Sequence, residues 1–264
     1  MDLEHLIYKV DNNIAMITLN RPETLNALTP LMRKSFALAL EMAEKDDDVR
    51  VLVITGAGKG FCSGGDVKAM NAAKKSGKTS ALDEKIDPIR DTIVMTLRNA
   101  TKPVIAAVNG AAAGAGMNIA LACDIRIASE NAKFGETFAK RGLHPDWGGT
   151  YFLPRIVGTA KACELIWSGK IINAKEALKL GIISDLVTPS KLMKTSLEMA
   201  QSFAAGPPTA IRLAKRALYR SMDSSLREAL EFETYAQNIC SETQDAKEGI
   251  SAFVEKRDPY FTGK

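Results

Sequence analysis

The feature that most constrains this chain is an uncharged stretch over residues 103–123, bounded by Lys102 and Asp124. It begins with a wholly apolar run over 104–108, which predicts a strand buried on both faces. The turn Gly114-Ala115-Gly116 follows and opens into a helix. A turn so poor in side chains, placed at the start of a helix, exposes backbone N–H groups that suit a negatively charged oxygen.

Two other interpretations of this stretch need no such oxygen. Its length would span a bilayer, but Asn109, Asn118 and the many glycines and alanines make it too weakly apolar for insertion. The other alternative is a tightly packed strand and helix without chemistry, in which the small residues only allow close approach. The stretch by itself leaves the functional and the packing interpretation open.

The whole chain has the length and polarity of a globular protein. Its 264 residues are 46% hydrophobic and 25% charged, which is enough to bury a large core. The net charge of +4 is spread without a basic block, which argues against a nucleic-acid partner and still suits a phosphate-bearing small ligand. Four cysteines without a C-x-x-C pair, and an N-terminus with neither a secretory signal nor a transit peptide, predict a soluble cytoplasmic protein with free thiols. No spacing of His, Cys or carboxylate residues predicts a metal site.

Strand and helix signals alternate over the first half of the chain. Strand-like segments at 6–10 and 14–19 flank Asp11-Asn12-Asn13, which predicts a hairpin. Thr29-Pro30 begins a helix, and a buried strand over 51–54 leads into a glycine-rich loop. The order strand, strand, helix repeats three times.

From Ala160 onward, one helix signal follows another. Ser225 with Glu228, and Ser241 with Gln244, have the spacing that opens a helix. Amphipathic helices with little sheet beside them often pack on a neighbouring subunit. We therefore expect residues 1–200 to form a core with the ligand site and residues 201–264 to form a helical oligomerisation region.

The glycine-rich loop over 56–65 does not fit the common nucleotide motifs. A dinucleotide fingerprint from Gly56 needs a glycine where Phe61 stands, and a phosphate-binding loop ending at Thr79 needs one where Ala72 stands. Ser63 lacks the G-x-S-x-G frame of serine hydrolases, because position 61 is phenylalanine. Residues 71–88 are small and charged, and we expect them to form a mobile surface segment that orders over a ligand.

Two glycine-rich turns, Ser63-Gly64-Gly65 and Gly114-Ala115-Gly116, share one context. Each follows a buried strand and precedes a helix. If the two strands are neighbours, a backbone N–H group from each turn converges on a single oxygen. Such a pair of donors is an oxyanion hole that stabilises an enolate.

At this point the motifs carry a resemblance over nearly the whole chain. They are NRP at 20–22, LNAL at 25–28, GFCSGGD at 60–66, KPVIAAVNG at 102–110, CD at 123–124, FG at 134–135, GGT at 148–150 and SAF at 251–253. Together they resemble the enoyl-CoA hydratase/isomerase (crotonase) family. The resemblance implies an α/β fold of the crotonase type, a spiral of ββα turns with a C-terminal helical trimerisation region. It also implies a homotrimer or a dimer of trimers, and an acyl-CoA thioester as ligand without a further cofactor.

The same resemblance assigns roles to individual residues. It implies that the backbone N–H groups of Ser63 and Ala115 form the oxyanion hole. The residues implied to line the path of coenzyme A are Ala27, Ser63, Gly64, Gly65 and Asp66. Phe253 and Lys256, near the C-terminus, are implied to reach its adenine end.

The departures from the family pattern decide the chemistry that we expect. Hydratases of this family use two glutamates, and the matching positions here hold Asn118 and Phe138. Adding water to a double bond calls for two acid/base groups. The ordinary hydratase mechanism is therefore not expected, and Asn118 is a candidate to hold a water or a substrate oxygen.

Asp146 is the remaining carboxylate in this neighbourhood. Its stretch, GLHPDWGGT at 142–150, and the ending FTGK resemble ring-epoxyphenylacetyl-CoA isomerases and some enoyl- or dienoyl-CoA isomerases, in which an aspartate here is the base. Trp147 and Phe138 beside it would partly desolvate it and raise its basicity, and they suit an unsaturated or cyclic acyl group. The alternative is that Asp146 caps a helix that begins near Gly148.

Two further residues are weaker candidates. Glu136 is the nearest other acid and a candidate second acid/base, and His144 is a candidate to orient a ligand, although a surface or structural role suits it better. The sequence thus predicts an acyl-CoA isomerase that shifts a double bond or opens a ring epoxide. The alternatives are an enoyl-CoA hydratase or another lyase that uses Asp146 or Glu136 with bound water, and a noncatalytic acyl-CoA-binding protein.

Overall fold

The computed structural model describes residues 3–67, 71–72, 75–76 and 88–264. The surface segment that we predicted over 71–88 falls mostly on residues 73–74 and 77–87, which lie outside the described residues.

The strands of the described chain form two sheets. They are β1 (Leu6–Asp11), β2 (Ile14–Leu19), β3 (Val51–Gly56), β4 (Gly60–Cys62), β5 (Val104–Val108), β6 (Ala111–Ala113), β7 (Ile125–Ser129), β8 (Lys133–Gly135), β9 (Ile171–Asn173) and β10 (Asp185–Val187). The larger sheet has the order β1-β2-β3-β5-β7-β10, and the smaller has the order β4-β6-β8-β9. Neighbouring strands are parallel, except for β1 with β2 and β8 with β9, which are antiparallel.

The helices follow the strands in a regular order. The α-helices whose bounds lie wholly within the described residues are α1 (Pro30–Lys45), α2 (Pro88–Asn99), α3 (Ala115–Ala122), α4 (Gly149–Val157), α5 (Thr159–Ser168), α6 (Ala174–Lys179), α7 (Leu192–Ala204), α8 (Pro208–Ser221), α9 (Leu226–Ser241) and α10 (Gln244–Glu255). The predicted order strand, strand, helix is found, and among the described residues it occurs four times rather than the three predicted, ending at α1, α2, α3 and α4. Each turn of the spiral gives a strand to each sheet, except the first, whose two strands both enter the larger sheet.

The expectation of helices alone after Ala160 is wrong in one respect. The short strands β9 and β10 lie in this region, and each joins the edge of a sheet that the first half of the chain has built. Three residues are too few to show a periodic pattern in a sequence, so such strands become visible only through their partners.

The central strands β3 and β5 of the larger sheet are buried on both faces, as predicted. In β3, Leu52 and Ile54 point into the main core, whereas Val51 and Val53 point to the other face. On that other face the sheet packs against α7. A strand covered on both sides must be apolar at every position, which is why the usual alternation is absent from 51–54 and 104–108.

Helix caps decide where several elements begin. Thr29 accepts from the Met32 N–H at 3.1 Å, and Ser225 forms a complete capping box with Glu228, both as predicted. The predicted cap at Ser241 is wrong. Ser241 is the last residue of α9, and Thr243 caps α10 through the Ala246 N–H at 3.0 Å.

An ion pair at Asp124 is one of the contacts between the C-terminal helices and the spiral. Lys215 of α8 donates to Asp124 at 2.8 Å, and Tyr219 donates to the same carboxylate at 2.5 Å. The outer faces of α8, α9 and α10 remain apolar and exposed, with Leu226 at 76% and Phe253 at 85% exposure. Within the described ranges, no helix combines the length and the apolar character needed to cross a bilayer.

Candidate active site

The two glycine-rich turns meet at one edge of the smaller sheet. Strands β4 and β6, which precede them, are parallel neighbours, as the prediction required. Gly64 has φ 92°, and a Cβ there would lie 2.7 Å from the Ala113 carbonyl oxygen and 3.5 Å from the Ala115 nitrogen. Only glycine permits this backbone conformation and so close an approach of the two turns.

Ala115 supplies a backbone N–H at the start of a helix. It is the first residue of α3, and Gly114 before it has φ 53° and provides no side-chain cap. The first N–H groups of a helix have no acceptor within the helix, and the helix dipole makes them a favourable site for negative charge. The geometry therefore fits the predicted role of Ala115 as a donor.

The Ser63 amide does not fit its predicted role. Its N–H donates to the carbonyl of Leu25 at 2.9 Å, and its Oγ donates to the carbonyl of Thr24 at 3.0 Å. A donor engaged in this way is not free for a ligand oxygen. The assignment of Ser63 as an oxyanion donor is therefore wrong.

Gly65, two residues further along the same loop, offers an alternative N–H group that the sequence did not indicate. Leu28 bonds to both neighbours of Gly65: its N–H donates to the Gly64 carbonyl at 2.8 Å, and its carbonyl accepts from the Asp66 N–H at 3.4 Å. In such a bridge the N–H of the central residue points to the opposite side. Within the part of the chain that the structure describes, no acceptor is found for the Gly65 N–H.

The loop around Ala27 is held against this turn. Arg21 contacts Asp66 at 3.2 Å and donates to the Ala27 carbonyl at 2.8 Å, so one guanidinium links the two segments. The fully buried Asn26 donates to the Gly60 carbonyl at 2.8 Å. The structure thus brings together Ala27, Gly64, Gly65 and Asp66, which were predicted to line the path of coenzyme A.

Asp146 lies in a strained loop that leads into α4. Trp147 and Gly148 follow it with φ 54° and 80°, both in the left-handed region. The carboxylate places Oδ2 3.8 Å from Nη1 of Arg90, while Oδ1 is buried and has no hydrogen-bond partner in the described part of the chain. Burial raises the pKa of Asp146, and the nearby charges of Arg90, Arg33 and His144 oppose that rise.

The alternative role of Asp146 as a helix cap is not observed. Helix α4 begins at Gly149 with Gly148 as its N-cap, and no side chain caps it. Only the backbone carbonyl of Asp146 takes part, accepting from the Gly149 N–H at 3.1 Å. The carboxylate is therefore not used for capping.

Asn118 and Glu136 are buried close to Asp146. Asn118 is fully buried, and its Nδ2 donates to the Asp146 carbonyl at 2.7 Å rather than pointing to a ligand, which corrects the expectation that it holds a water or a substrate oxygen. Glu136 is 1% exposed, and its Oε2 lies 3.5 Å from the same Nδ2. Burial raises the pKa of Glu136 to about 8, the charge of Asp146 acts in the same direction, and the contact with Asn118 opposes it.

Aromatic side chains line this region. The Phe138 ring covers Gly114, about 3.5 Å from the place a Cβ would occupy, and Trp147 is buried beside Asp146. His144 is exposed, and its Nδ1 lies 2.5 Å from the Pro145 carbonyl oxygen. Trp147 is thus an aromatic neighbour of Asp146 in the chain, Phe138 packs on Gly114, and the hydrogen-bond contact found for His144 among the described residues is with the adjacent Pro145.

Phe253 and Lys256 lie in α10 and at its end, in another part of the molecule. Phe253 lines a cleft between α8, α9 and α10, whose lining residues include none from the two turns. Lys256 ends the helix with φ 56°. Among the described residues, no group of three or more His, Cys, Asp or Glu side chains is placed to hold a metal ion.

Comparison with known proteins is consistent with this arrangement. The chain is 38% identical to a 1,2-epoxyphenylacetyl-CoA isomerase of Escherichia coli (strain K12), over 99% of this chain and 100% of that protein. It is also 38% identical to a short-chain-enoyl-CoA hydratase of Clostridium acetobutylicum, over 97% of each. A crystal structure of a putative enoyl-CoA hydratase from Streptomyces coelicolor A3(2) superposes with a TM-score of 0.93 at 35% identity, covering 100% of this chain and 96% of that one.

These likenesses extend over the whole length of the chain and confirm the crotonase-type α/β fold that the motifs implied. The profile of the family described as enoyl-CoA hydratase/isomerase matches residues 9–264. The chain belongs to the enoyl-CoA hydratase/isomerase family.

Proposed function

We propose that this protein is an acyl-CoA isomerase that uses Asp146 as its only acid/base group. The observation that carries the proposal is the placement of that carboxylate. The carboxylate is half-buried, with Oδ2 3.8 Å from Nη1 of Arg90, and the backbone carbonyl of the same residue accepts from Asn118 of α3. An amide and a phenyl group occupy positions 118 and 138. Moving a proton from one carbon to another needs one such group, whereas adding water calls for two.

The proposed reaction uses the two free N–H groups. The thioester oxygen is placed between Gly65 N–H and Ala115 N–H, and Asp146 removes a proton from the carbon chain to give an enolate or a dienolate. The negative charge collects on the oxygen, where the two N–H groups and the start of α3 stabilise it. Asp146 then returns the proton to another carbon, so the double bond moves and no water or further cofactor is consumed.

For a ring-epoxide substrate the same enolate chemistry would accompany opening of the ring. The relative from Escherichia coli is named a 1,2-epoxyphenylacetyl-CoA isomerase, and a second relative, from Streptococcus mutans, is named a trans-2-decenoyl-[acyl-carrier-protein] isomerase at 36% identity over the full length of both chains. These names, and the aromatic side chains Phe138 and Trp147, support an unsaturated or cyclic acyl group.

Hydration is the second candidate, and Glu136 is the observation that favours it. This carboxyl lies within 3.5 Å of Asn118 and holds its proton to higher pH than an exposed glutamate does. Together with Asp146 it would provide the two acid/base groups that water addition needs. The relative from Clostridium acetobutylicum is named a hydratase.

Incubation with 2-enoyl-CoA and 3-enoyl-CoA thioesters separates the candidates. We expect the double bond to shift with retention of the unsaturated product, observed by NMR. Consumption of the double bond with formation of a 3-hydroxyacyl-CoA would favour hydration, and binding without turnover of any substrate offered would indicate a noncatalytic acyl-CoA-binding protein.

The Asp146→Asn variant tests the assignment of the base. We expect turnover to fall on the order of 10²–10⁴-fold while acyl-CoA binding stays nearly unchanged. Asp223→Asn is the control, since Asp223 is an exposed aspartate paired with Arg155 at 3.4 Å. Full activity of Asp146→Asn would show that another group is the base.

We further propose the assembly and the location that the sequence suggested. Exposed apolar residues on α8, α9 and α10 support a homotrimer or a dimer of trimers in which residues 201–264 make the contacts. The cysteines Cys62, Cys123, Cys163 and Cys240 are all free thiols, which supports a reducing compartment such as the cytoplasm.

A further inference from the structure

Asn118 makes a contact that the proposed reaction leaves unexplained. It follows Ala115 by three residues on α3, and its Nδ2 donates to the Asp146 carbonyl at 2.7 Å. This distance is at the short end of the range for N–H···O hydrogen bonds. A single side chain therefore connects the helix that presents one oxyanion N–H to the residue that carries the proposed base.

The orientation of this amide follows from its partners. A carbonyl oxygen only accepts, so the NH₂ end of Asn118 must face Asp146. Oδ1 then has no partner in the described part of the chain, although it is completely buried. A buried unpaired oxygen opposes folding, and an apolar residue at this position would avoid that penalty. The donor end is therefore the useful part of the side chain.

Gly149 provides the space that the amide needs. A Cβ at position 149 would lie 2.5 Å from Asn118 Nδ2 and 2.8 Å from Oδ1. The Gly149 N–H donates to the same Asp146 carbonyl at 3.1 Å. The carbonyl thus receives one donor from α3 and one from the start of α4.

The loop that carries Asp146 needs such support. Trp147 adopts φ 54°, a conformation that bulky residues rarely take, and Gly148 adopts φ 80°. Strained backbone persists only where the surrounding structure holds it. The hydrogen bond from Asn118 holds Asp146, the residue immediately before Trp147 and Gly148.

We propose that Asn118 is a positioning residue, which holds the Asp146 carbonyl and thereby sets the carboxylate at a fixed place relative to the N–H groups of Gly65 and Ala115. The proposal rests on the proposed function in one respect, namely that Asp146 is the base. The proposal gives residue 118 a structural role, in place of the proton transfer that a glutamate at this position performs in hydratases of the family. It also makes Gly149 part of the same arrangement.

A double-mutant cycle in the full-length enzyme tests the proposal. Misplacement of a reacting group by about 1 Å costs on the order of 10²-fold in rate. We expect Asn118→Ala and Gly149→Ala each to lower kcat by roughly that factor, with KM for the acyl-CoA changed by less than about threefold. The double variant should be no worse than Asn118→Ala alone, because the added methyl group no longer meets an amide.

Gly249→Ala in α10 is the control for a glycine replaced within a helix. An added Cβ there meets only the Phe261 ring, at 3.5 Å, which is ordinary contact, and we expect full activity. If folded Asn118→Ala keeps the kcat of the parent enzyme, or if the two single losses multiply in the double variant, the positioning role is wrong. Should Asn118→Ala fail to fold, Gly149→Ala crowds the same amide and carries the kcat test alone.

Hydrogen exchange of the Gly149 amide provides a readout that does not depend on the reaction. We expect exchange at this amide to accelerate by about tenfold or more in Asn118→Ala, because the loop opens more often when its carbonyl loses a donor. The same acceleration is expected if the protein proves to be a hydratase. This measurement therefore tests the positioning role of Asn118 separately from the isomerase proposal. Unchanged exchange would overturn the positioning role.

Discussion

Glu136 is a carboxyl group that the fold buries almost completely. Burial raises its pKa from 4.5 to about 8, with the charge of Asp146 acting in the same direction. Because the pKa is higher in the folded than in the unfolded state, the folded protein binds more protons between pH 4.5 and about 8. The free energy of unfolding is therefore highest at the acid end of this window and falls as the pH rises through it.

The size of this effect follows from the shift. One pKa unit corresponds to about 1.4 kcal/mol, so a rise from 4.5 to about 8 amounts to at most about 5 kcal/mol. Glu136→Gln keeps the shape of the side chain and removes its ionisation. We expect the variant to gain stability relative to the parent protein as the pH rises from about 5 to about 8, approaching that value at the upper end.

Urea unfolding at several pH values, at one protein concentration, measures this difference. A constant cost of the amide cancels, because only the change with pH is compared. The raised pKa of Asp146 acts with the same sign in both proteins, and its contribution largely cancels too. Glu130→Gln, at an exposed position after β7, is the control. If the curves for Glu136→Gln and the parent protein run parallel across the window, the reasoning about the buried carboxyl is refuted.

Three further predictions concern the base, the fold and the assembly. The proposed base, Asp146, would act in its ionised form, so kcat/KM should rise with pH through the pKa of Asp146. Arg90→Met removes a charge that lowers this pKa and should move the acid limb of the pH profile to higher pH. Lys215→Met leaves the mostly buried Asp124 carboxylate without its cation and should cost about 3 kcal/mol of stability, measured by urea unfolding. Sedimentation should show a trimer or hexamer, and Leu226→Glu with Phe253→Glu should shift it toward monomer; a parent protein that sediments only as monomer would contradict the assembly.

Local signals in the sequence located most of the elements. The proline after Thr29 and the glutamate three residues after Ser225 mark helix starts that the structure confirms. At Ser241 the same spacing misled, because α9 continues through that residue and gives it helical backbone. An N-cap needs extended backbone, which Thr243 has with φ −74° and ψ 155°. The spacing between Ser241 and Gln244 does not show where the preceding helix ends.

The oxyanion turn shows a different limit. The sequence pointed to a loop in which Ser63 and Gly65 both offer an amide. Which amide is free depends on Leu25 and Leu28, which lie nearly forty residues earlier in the chain. Leu25 accepts from the Ser63 N–H, and Leu28 bonds to the residues on either side of Gly65. Composition and local pattern do not determine such long-range pairing. The same limit applies to Asn118: the sequence shows an asparagine at this position but does not show that it bonds to the Asp146 carbonyl.

The hydrogen bond between Asn118 and the Asp146 carbonyl relates the absence of a glutamate at position 118 to the presence of Asp146. In the proposed arrangement Asn118 is the donor that holds the Asp146 carbonyl, so placing a glutamate at position 118 should not produce hydration. In Asn118→Glu, the longer side chain would press on Gly149, where even one added carbon would lie 2.5 Å from the present amide, and an ionised carboxylate would face the Asp146 carbonyl and Glu136. We expect isomerase turnover to fall on the order of 10²-fold without a gain in 3-hydroxyacyl-CoA formation, followed by loss of enoyl absorbance and by product NMR. Efficient hydration by Asn118→Glu would show instead that the site is a hydratase site lacking one group, and that Asp146 does not depend on residue 118.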